Sequence, residues 1–167
     1  MNTTSTPQTN ATSLASKKNN GDDFDAAKLI ENWQQVNEQV AQASVQAQRQ
    51  KDEIILLAVS KTKPVEMIAT LARQGQHDFG ENYLQEAIEK IQALRQQPDY
   101  EHIVWHYIGS IQRNKTRDIA EHFDWVQTLE REIIAKRLHE QRPAELPALN
   151  VLIQVNIDNE DSKSGCL

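Results

Sequence analysis

LAVSKTKP, residues 57–64, joins a short apolar run to a proline, and this junction decides the predicted fold. The run begins at residue 54 (IILLAVS, residues 54–60), is rich in β-formers and has the length of a buried strand. Pro64 suits the first position of a helix, and Gly75 is placed to end that helix. We therefore predict a buried strand followed at once by a helix, with Lys61 between the two.

The same strand-then-helix unit recurs along the chain. A long polar helix is predicted first, over residues 24–50, from apolar residues spaced three and four apart. Strands alternating with helices indicate a parallel sheet built by right-handed crossovers. The predicted strands cover residues 54–60, 78–82, 104–108, 125–129 and 151–157, and the predicted helices between them include residues 65–72, 84–94, 112–123 and 131–141.

Two α/β architectures fit this pattern, an open doubly wound sheet and a (β/α)8 barrel of the TIM type. The glycine fingerprint of a dinucleotide-binding first turn is missing, because SKTKP occupies residues 60–64. Its absence favours the barrel. A barrel needs about eight units, whereas this sequence supplies strands one to five and an N-terminal helix. We therefore expect the N-terminal part of a barrel, truncated after the fifth strand.

Composition excludes several classes of protein. Of the 167 residues 25% are charged, the formal net charge is -6, and no long run of Lys or Arg occurs. A surface for nucleic acid or for an acidic membrane is therefore not predicted. No apolar run approaches the ~20 residues that cross a bilayer. The N-terminus also lacks the apolar central region of a secretory signal.

One domain boundary and a compartment follow from the sequence. Residues 1–22 are mostly Asn, Thr and Ser, so we predict a disordered tail followed by one domain over residues 23–167. Cys166 is the only cysteine, which excludes an intrachain disulfide and a zinc site of several thiolates. This usage fits a reducing compartment. No HExxH spacing, GxSxG motif or Walker loop occurs, and no metal site is predicted.

Lys61 is the main candidate for chemistry, because the carboxyl ends of parallel strands form the functional face of such folds. By the two-residue alternation of a strand it shares one side with Leu57 and Val59. We expect partial desolvation there, which favours the free amine that attacks an aldehyde. The alternative is a lysine that simply extends into solvent. Lys63 has the same parity but abuts Pro64, so it is the weaker candidate.

Polar residues also end the second and third predicted strands. Asn82 could donate to or accept from a ring hydroxyl or carbonyl, or it could cap the next helix. His106 could stack on a planar ligand or transfer a proton, or it could be a buried structural histidine.

Further residues could bind an anion or supply a second amine. Gly109 and Ser110 are predicted to open a helix whose first amides suit an anion. Lys163 follows the fifth strand and is either a second amine or the partner of nearby carboxylates in an exposed loop. Three basic residues after Ser110 could recognise a phosphate or could simply be solvated: Arg113, Lys115 and Arg117.

Taken together, these motifs resemble one known family. LAVSKTKP at residues 57–64 is followed by FGENY at residues 79–83, WHYIG at residues 105–109 and NEDSKSG at residues 159–165. In that order and spacing, with Gln112, Asn114 and Lys115, they closely resemble the YggS/PROSC family of pyridoxal phosphate homeostasis proteins. The resemblance covers roughly residues 54–165.

The resemblance implies a fold, a cofactor and a role. The family fold is a single (β/α)8 barrel similar to the N-terminal domain of alanine racemase. Lys61 matches the lysine that carries pyridoxal 5'-phosphate (PLP) as a Schiff base, and Asn82 and His106 match positions expected near the cofactor ring. The implied protein is cytoplasmic, monomeric and non-catalytic. It would buffer PLP and deliver it to recipient PLP-dependent enzymes, without nucleic acid or membrane as a partner.

One departure from the family affects the expected affinity. The family holds the cofactor phosphate with a Ser/Gly-rich turn and an Arg-Ile-Gly turn in the last third of its barrel, and neither occurs in this sequence. We therefore expect weaker PLP binding than in a full-length member. Two alternatives remain, a PLP-dependent racemase or decarboxylase and an inactive fragment. The first generally needs a second domain or a second base, and the sequence offers no such domain.

Overall fold

The computed structural model describes residues 24–166, so the predicted tail at residues 1–22 lies outside the described residues. No described helix is both long and apolar enough to cross a membrane. In chain order the main elements are α1 Ala26–Gln46, β1 Ala58–Val59, α2 Val65–Ala72, β2 Asp78–Glu81, α3 Leu84–Arg95, β3 Val104–Tyr107, α4 Thr116–His122, β4 Trp125–Leu129, α5 Glu132–Gln141 and β5 Asn150–Ile153.

The five strands form one sheet in the order β1-β2-β3-β4-β5, and every pairing is parallel. A doubly wound sheet reverses its strand order at a switch point, whereas a barrel adds each new strand to the same edge. The sequential order confirms the predicted α/β class and corresponds to part of a (β/α)8 barrel.

The two faces of the sheet differ in what covers them. Alternate residues of the strands point to opposite faces. One face packs against the helices and carries the core, to which the strands contribute Phe79, Trp105, Tyr107 and Val126. The other, here called the inner face, carries one residue from each of four strands at the same level: Val59, Gly80, His106 and Trp125.

The outer two strands are shorter than predicted. β1 covers Ala58–Val59 instead of residues 54–60, and β5 covers Asn150–Ile153 instead of residues 151–157. The length of a strand depends on how far its neighbour runs beside it, and β4 ends at Leu129, the partner of Ile153. Beyond that point Val155 forms only an isolated parallel bridge with Cys166, and the ladder does not continue to residue 157.

The helices follow their predicted positions with two differences, of which the first is that α1 ends at Gln46 and not at residue 50. Residues 113–115 form a 3₁₀ turn, so α4 begins at Thr116 and not at residue 112. The second is this turn, where Thr116 Oγ1 lies 3.1 Å from the Arg113 carbonyl oxygen and 2.7 Å from Gln141 Oε1. At the other end of the chain, Asp25 caps α1 by accepting the Lys28 amide at 3.0 Å.

Helix α1 is fixed to the amino ends of the first two strands by one buried glutamine. The Trp33 indole N–H donates to Gln76 Oε1 at 2.8 Å. Gln76 Nε2 in turn donates to the carbonyls of Leu56 and Asp78, both at 2.7 Å. Gln76 is only 4% exposed. Because Leu56 and Asp78 lie at the amino ends of the two strands, α1 is attached at the end of the sheet opposite to Lys61.

Replacing Gln76 by leucine is expected to lower the free energy of unfolding by about 2–4 kcal/mol. The change keeps the volume but leaves two backbone carbonyls and the Trp33 N–H without their partner, and each buried unsatisfied group costs about 1–3 kcal/mol. Urea denaturation followed by circular dichroism measures the difference. Gln74→Leu is the control because Gln74 is exposed. Equal midpoints for the two variants would contradict the prediction.

Candidate functional site

Lys61 lies in a tight turn directly after β1. The Lys63 amide donates to the Ser60 carbonyl at 3.0 Å, which closes a four-residue turn with Lys61 and Thr62 at its centre. Residues 60–63 are called the Lys61 turn below. Thr62 has φ 61°, a left-handed conformation that costs a β-branched residue about 1–3 kcal/mol. A strained turn of this kind persists only where surrounding groups hold it.

Two expectations about Lys61 are corrected. The strand ends at Val59, so the strand alternation does not extend to Lys61, which is exposed and not partly desolvated. Val59, on the inner face beside it, is itself 51% exposed, because no described residue covers that part of the face. Lys63 does not share the side of Lys61 by strand alternation either. It lines a groove together with Met67 of α2 and Glu89 of α3.

An ionic cluster formed by two buried residues and one half-buried residue holds the Lys61 turn. Lys90 is 7% exposed, and its Nζ donates to the Ser60 carbonyl at 2.9 Å and to Glu81 Oε1 at 2.8 Å. A third donation goes to Glu86 Oε1, the atom that also accepts the Thr62 amide at 2.7 Å. Lys90, Glu81 and Glu86, called the Lys90 cluster, therefore contact the backbone on both sides of Lys61.

The sequence prediction missed the Lys90 cluster. Lys90 and Glu86 are four residues apart on a helix, a spacing typical of ordinary surface ion pairs. The one signal was position: Lys90 follows Ala87 by three residues and precedes Leu94 by four, so it lies on the buried side of α3. A lysine on the apolar side of a helix needs a buried partner.

Asn82 follows β2 and has an unused acceptor. Within residues 24–166 its Oδ1 is buried and has no hydrogen-bond partner. The loop after β3 lies very close to the backbone of Asn82, since a Cβ added to Gly109 would lie 2.6 Å from the Asn82 carbonyl oxygen. Asn82 also lines an open cleft of about 550 Å³ together with Tyr107 and Lys115. An acceptor of this kind suits a hydroxyl or N–H donor of a ligand.

Tyr107, at the end of β3, supplies a neutral phenol to the same cleft. Burial raises its pKa above the usual value, and its edge packs against Phe123 with ring centroids 5.2 Å apart. The hydroxyl donates to the Ser110 carbonyl at 3.2 Å. The phenol therefore keeps its proton at neutral pH and helps to fix the loop beside Asn82.

His106 precedes Tyr107 on β3 and lies inside a hydrogen-bond network on the inner face. Its Nε2 contacts Asp78 Oδ1 at 2.8 Å, and its Nδ1 contacts Gln127 Nε2 at 3.0 Å. Because the Gln127 amide donates, the ring proton is on Nε2 and is donated to Asp78. The ring is 3% exposed and stacks on Trp125 with centroids 5.6 Å apart. Both ring nitrogens are thus already engaged.

The predicted anion site at the start of α4 is not formed. Gly109 and Ser110 lie in a loop, not in the first turn of a helix, since α4 begins only at Thr116. Of the basic residues, Arg113 and Arg117 are exposed, and Arg117 approaches Glu121 at 3.8 Å. Lys115 alone lines the cleft beside Asn82.

The remaining candidates are the second amine, Lys163, and a metal site. Lys163 is exposed in the loop after β5, where Asn156 Nδ2 donates to the Glu160 and Lys163 carbonyls. Across residues 24–166, no group of three or more His, Cys, Asp or Glu side chains could hold a metal ion.

Comparison with protein families gives a match over the whole described part of the chain. Residues 24–167 match the model of the alanine racemase N-terminal domain. The matched segment contains every strand of the sheet and the complete Lys61 turn.

Individual relatives agree with this match. The chain is 51% identical over 82% of its length to the pyridoxal phosphate homeostasis protein of Escherichia coli K12. It is 53% identical to the protein of the same name from Pasteurella multocida, again over 82% of its length. Among solved structures, this chain is similar to PipY from Synechococcus elongatus with PLP bound. The two sequences are 34% identical, and the structures align with a TM-score of 0.58 over 72% of this chain and 56% of PipY. The chain spans 58% of the length of the two curated relatives.

Proposed function

Because the chain belongs to the family of alanine racemase N-terminal domains, we propose that it binds PLP through Lys61 as a non-catalytic carrier. In this role the protein buffers the cofactor and transfers it to recipient PLP-dependent enzymes. We further propose that it acts as a monomer in the cytoplasm, the compartment that its single cysteine fits.

The availability of the Lys61 amine is the observation that carries the proposal. Among residues 24–166, Lys61 Nζ makes no hydrogen bond or ion pair, whereas Lys90 uses all three of its N–H groups. The backbone of Lys61 is nevertheless held on both sides by the Lys90 cluster. A fixed backbone with a free amine is what covalent capture of an aldehyde requires. The PLP-bound relative supports the choice of cofactor.

PLP, when bound, supplies an aldehyde that condenses reversibly with an amine. The residues of this chain fit two parts of that ligand. Lys61 provides the amine, and the unpartnered Oδ1 of Asn82 provides an acceptor for a ring substituent. We propose His106 as the third site residue. With both ring nitrogens engaged, it would shape the floor of the site without transferring a proton.

A PLP-dependent racemase or decarboxylase is the second candidate, favoured by the alanine racemase domain that the chain matches. Two candidate proton-transfer groups are already engaged, because His106 Nε2 donates to Asp78 and Lys90 uses all three of its N–H groups. We therefore rank it below the carrier. Incubation with a panel of amino acids, followed by chiral chromatography, separates the two candidates, since only an enzyme produces the other enantiomer or an amine.

Chemical trapping tests the proposed attachment point. The protein is saturated with PLP, reduced with borohydride and digested, and the pyridoxyl group is located by mass spectrometry. We expect the label on Lys61, with Lys63 and Lys163 as internal controls because both are also exposed to solvent. Labelling spread evenly over the three lysines would indicate non-specific reaction and would refute a defined site.

A further inference from the structure

We propose that Lys90 is a positioning residue, which sets the reactivity of the Lys61 amine by clamping the backbone of the Lys61 turn. This inference deepens the proposed function and rests on it for the identity of the aldehyde. The clamp itself concerns only residues of this chain.

The first support is the pattern of contacts around Lys61. Its preceding peptide is held through the Ser60 carbonyl, which accepts from Lys90 Nζ at 2.9 Å. Its following peptide is held through the Thr62 amide, which donates to Glu86 Oε1 at 2.7 Å. Lys90 also donates to that same Glu86 oxygen. One ammonium group thus connects the two ends of the Lys61 residue.

The second support is the strained conformation that these contacts maintain. Thr62 has φ 61°, a region that favours Gly or Asn and that is unfavourable for a β-branched side chain. Without the Glu86 acceptor the Thr62 amide would be free to rotate, and Thr62 could return to an ordinary conformation. The direction in which Lys61 leaves the backbone would then change.

The third support is that the cluster is poorly suited to a purely stabilising role. Glu81 is fully buried, yet only its Oε1 is engaged, by the Ser60 hydroxyl at 2.7 Å and by Lys90 at 2.8 Å. Within residues 24–166 its Oε2 has no partner. A buried ion pair with an unsatisfied oxygen is usually no more stable than an apolar replacement, and geometry is a better reason for its presence.

Hydrogen exchange without any cofactor tests the clamp directly. In Lys90→Met and in Glu86→Ala we expect the Thr62 amide to exchange at least 10-fold faster. The Trp105 amide, which donates to Asp124 Oδ2 at 2.8 Å and makes no hydrogen bond to the cluster, should be unchanged. Lys136→Met and Glu89→Ala are the matched controls, since both residues are exposed on helices. Unchanged Thr62 exchange, or equal acceleration at Trp105, would overturn the proposal.

A second measurement connects the clamp to Lys61 itself. We expect slower modification of Lys61 by a small aldehyde probe, pyridoxal, in Lys90→Met, with an unchanged rate at Lys63. If Lys90→Met does not fold, the pair Glu81→Gln with Lys90→Met removes both buried charges, and Glu86→Ala keeps them. An unaltered Lys61 rate in whichever variant folds argues against the clamp. Failure of the wild-type protein to bind PLP would refute the proposed function and leave the exchange result standing.

Discussion

We expect the variant Lys61→Ala to lose the whole visible absorption band that PLP acquires on binding, because the substitution removes the amine proposed to form the covalent link. Lys90 cannot substitute, since its three N–H groups are engaged by Ser60, Glu81 and Glu86. The substitution should leave the free energy of unfolding within about 0.5 kcal/mol of wild type, as is usual for an exposed side chain. Absorption spectra at saturating PLP and a thermal melt measure the two quantities.

Lys63→Ala is the matched control for this experiment. Lys63 belongs to the same turn, is also exposed and carries the same charge, but it lies over the groove between α2 and α3. We expect this variant to keep the band. Loss of the band in Lys63→Ala with retention in Lys61→Ala would reverse the assignment within the turn, and retention in both would move the attachment elsewhere.

The largest loss of stability is expected from Ile134→Ala. Ile134 is 1% exposed on α5 and belongs to the core between the helices and the sheet. Removing its side chain leaves a cavity, and such changes cost about 2–5 kcal/mol. A marginally stable domain would lose a large part of its free energy of unfolding, which is typically 5–15 kcal/mol. Urea denaturation monitored by tryptophan fluorescence measures it.

The adjacent residue gives an internal comparison. Ile133 has the same side chain on the same helix but is 45% exposed. Ile133→Ala is therefore expected to change the free energy of unfolding by no more than about 0.5 kcal/mol. Similar losses for both variants would mean that α5 packs on the sheet through a different side from the one described.

The helices were predictable because their apolar periodicity is local. The apolar pattern from Leu84 to Leu94 predicted α3 to within one residue. Pro64 and Gly75 correctly bracketed α2. The ends of the strands were harder to predict from sequence. Ile54 and Ile157 belong to runs typical of buried strands, yet neither lies in a ladder, because pairing depends on the neighbouring strand.

The candidate site was predictable only in part, for a similar reason. Lys61 could be proposed from the sequence because it follows an apolar strand and lies among specific motifs, and its role stays a prediction. The Lys90 cluster joins residues from β2, α3 and the Lys61 turn, and no local pattern connects Glu81 to Lys90. The exposure of Lys61 also depends on what lies opposite the inner face, which local sequence does not determine.

The sequential strand order has a consequence for how the chain assembles during synthesis. Proteins emerge from the ribosome N-terminus first, and here each new strand finds its only earlier neighbour already made. Contacts between segments close in sequence also favour rapid folding. The Lys61 turn and the residues that clamp it all lie between residues 60 and 90. The proposed attachment point can therefore begin to form before β3 has emerged from the ribosome.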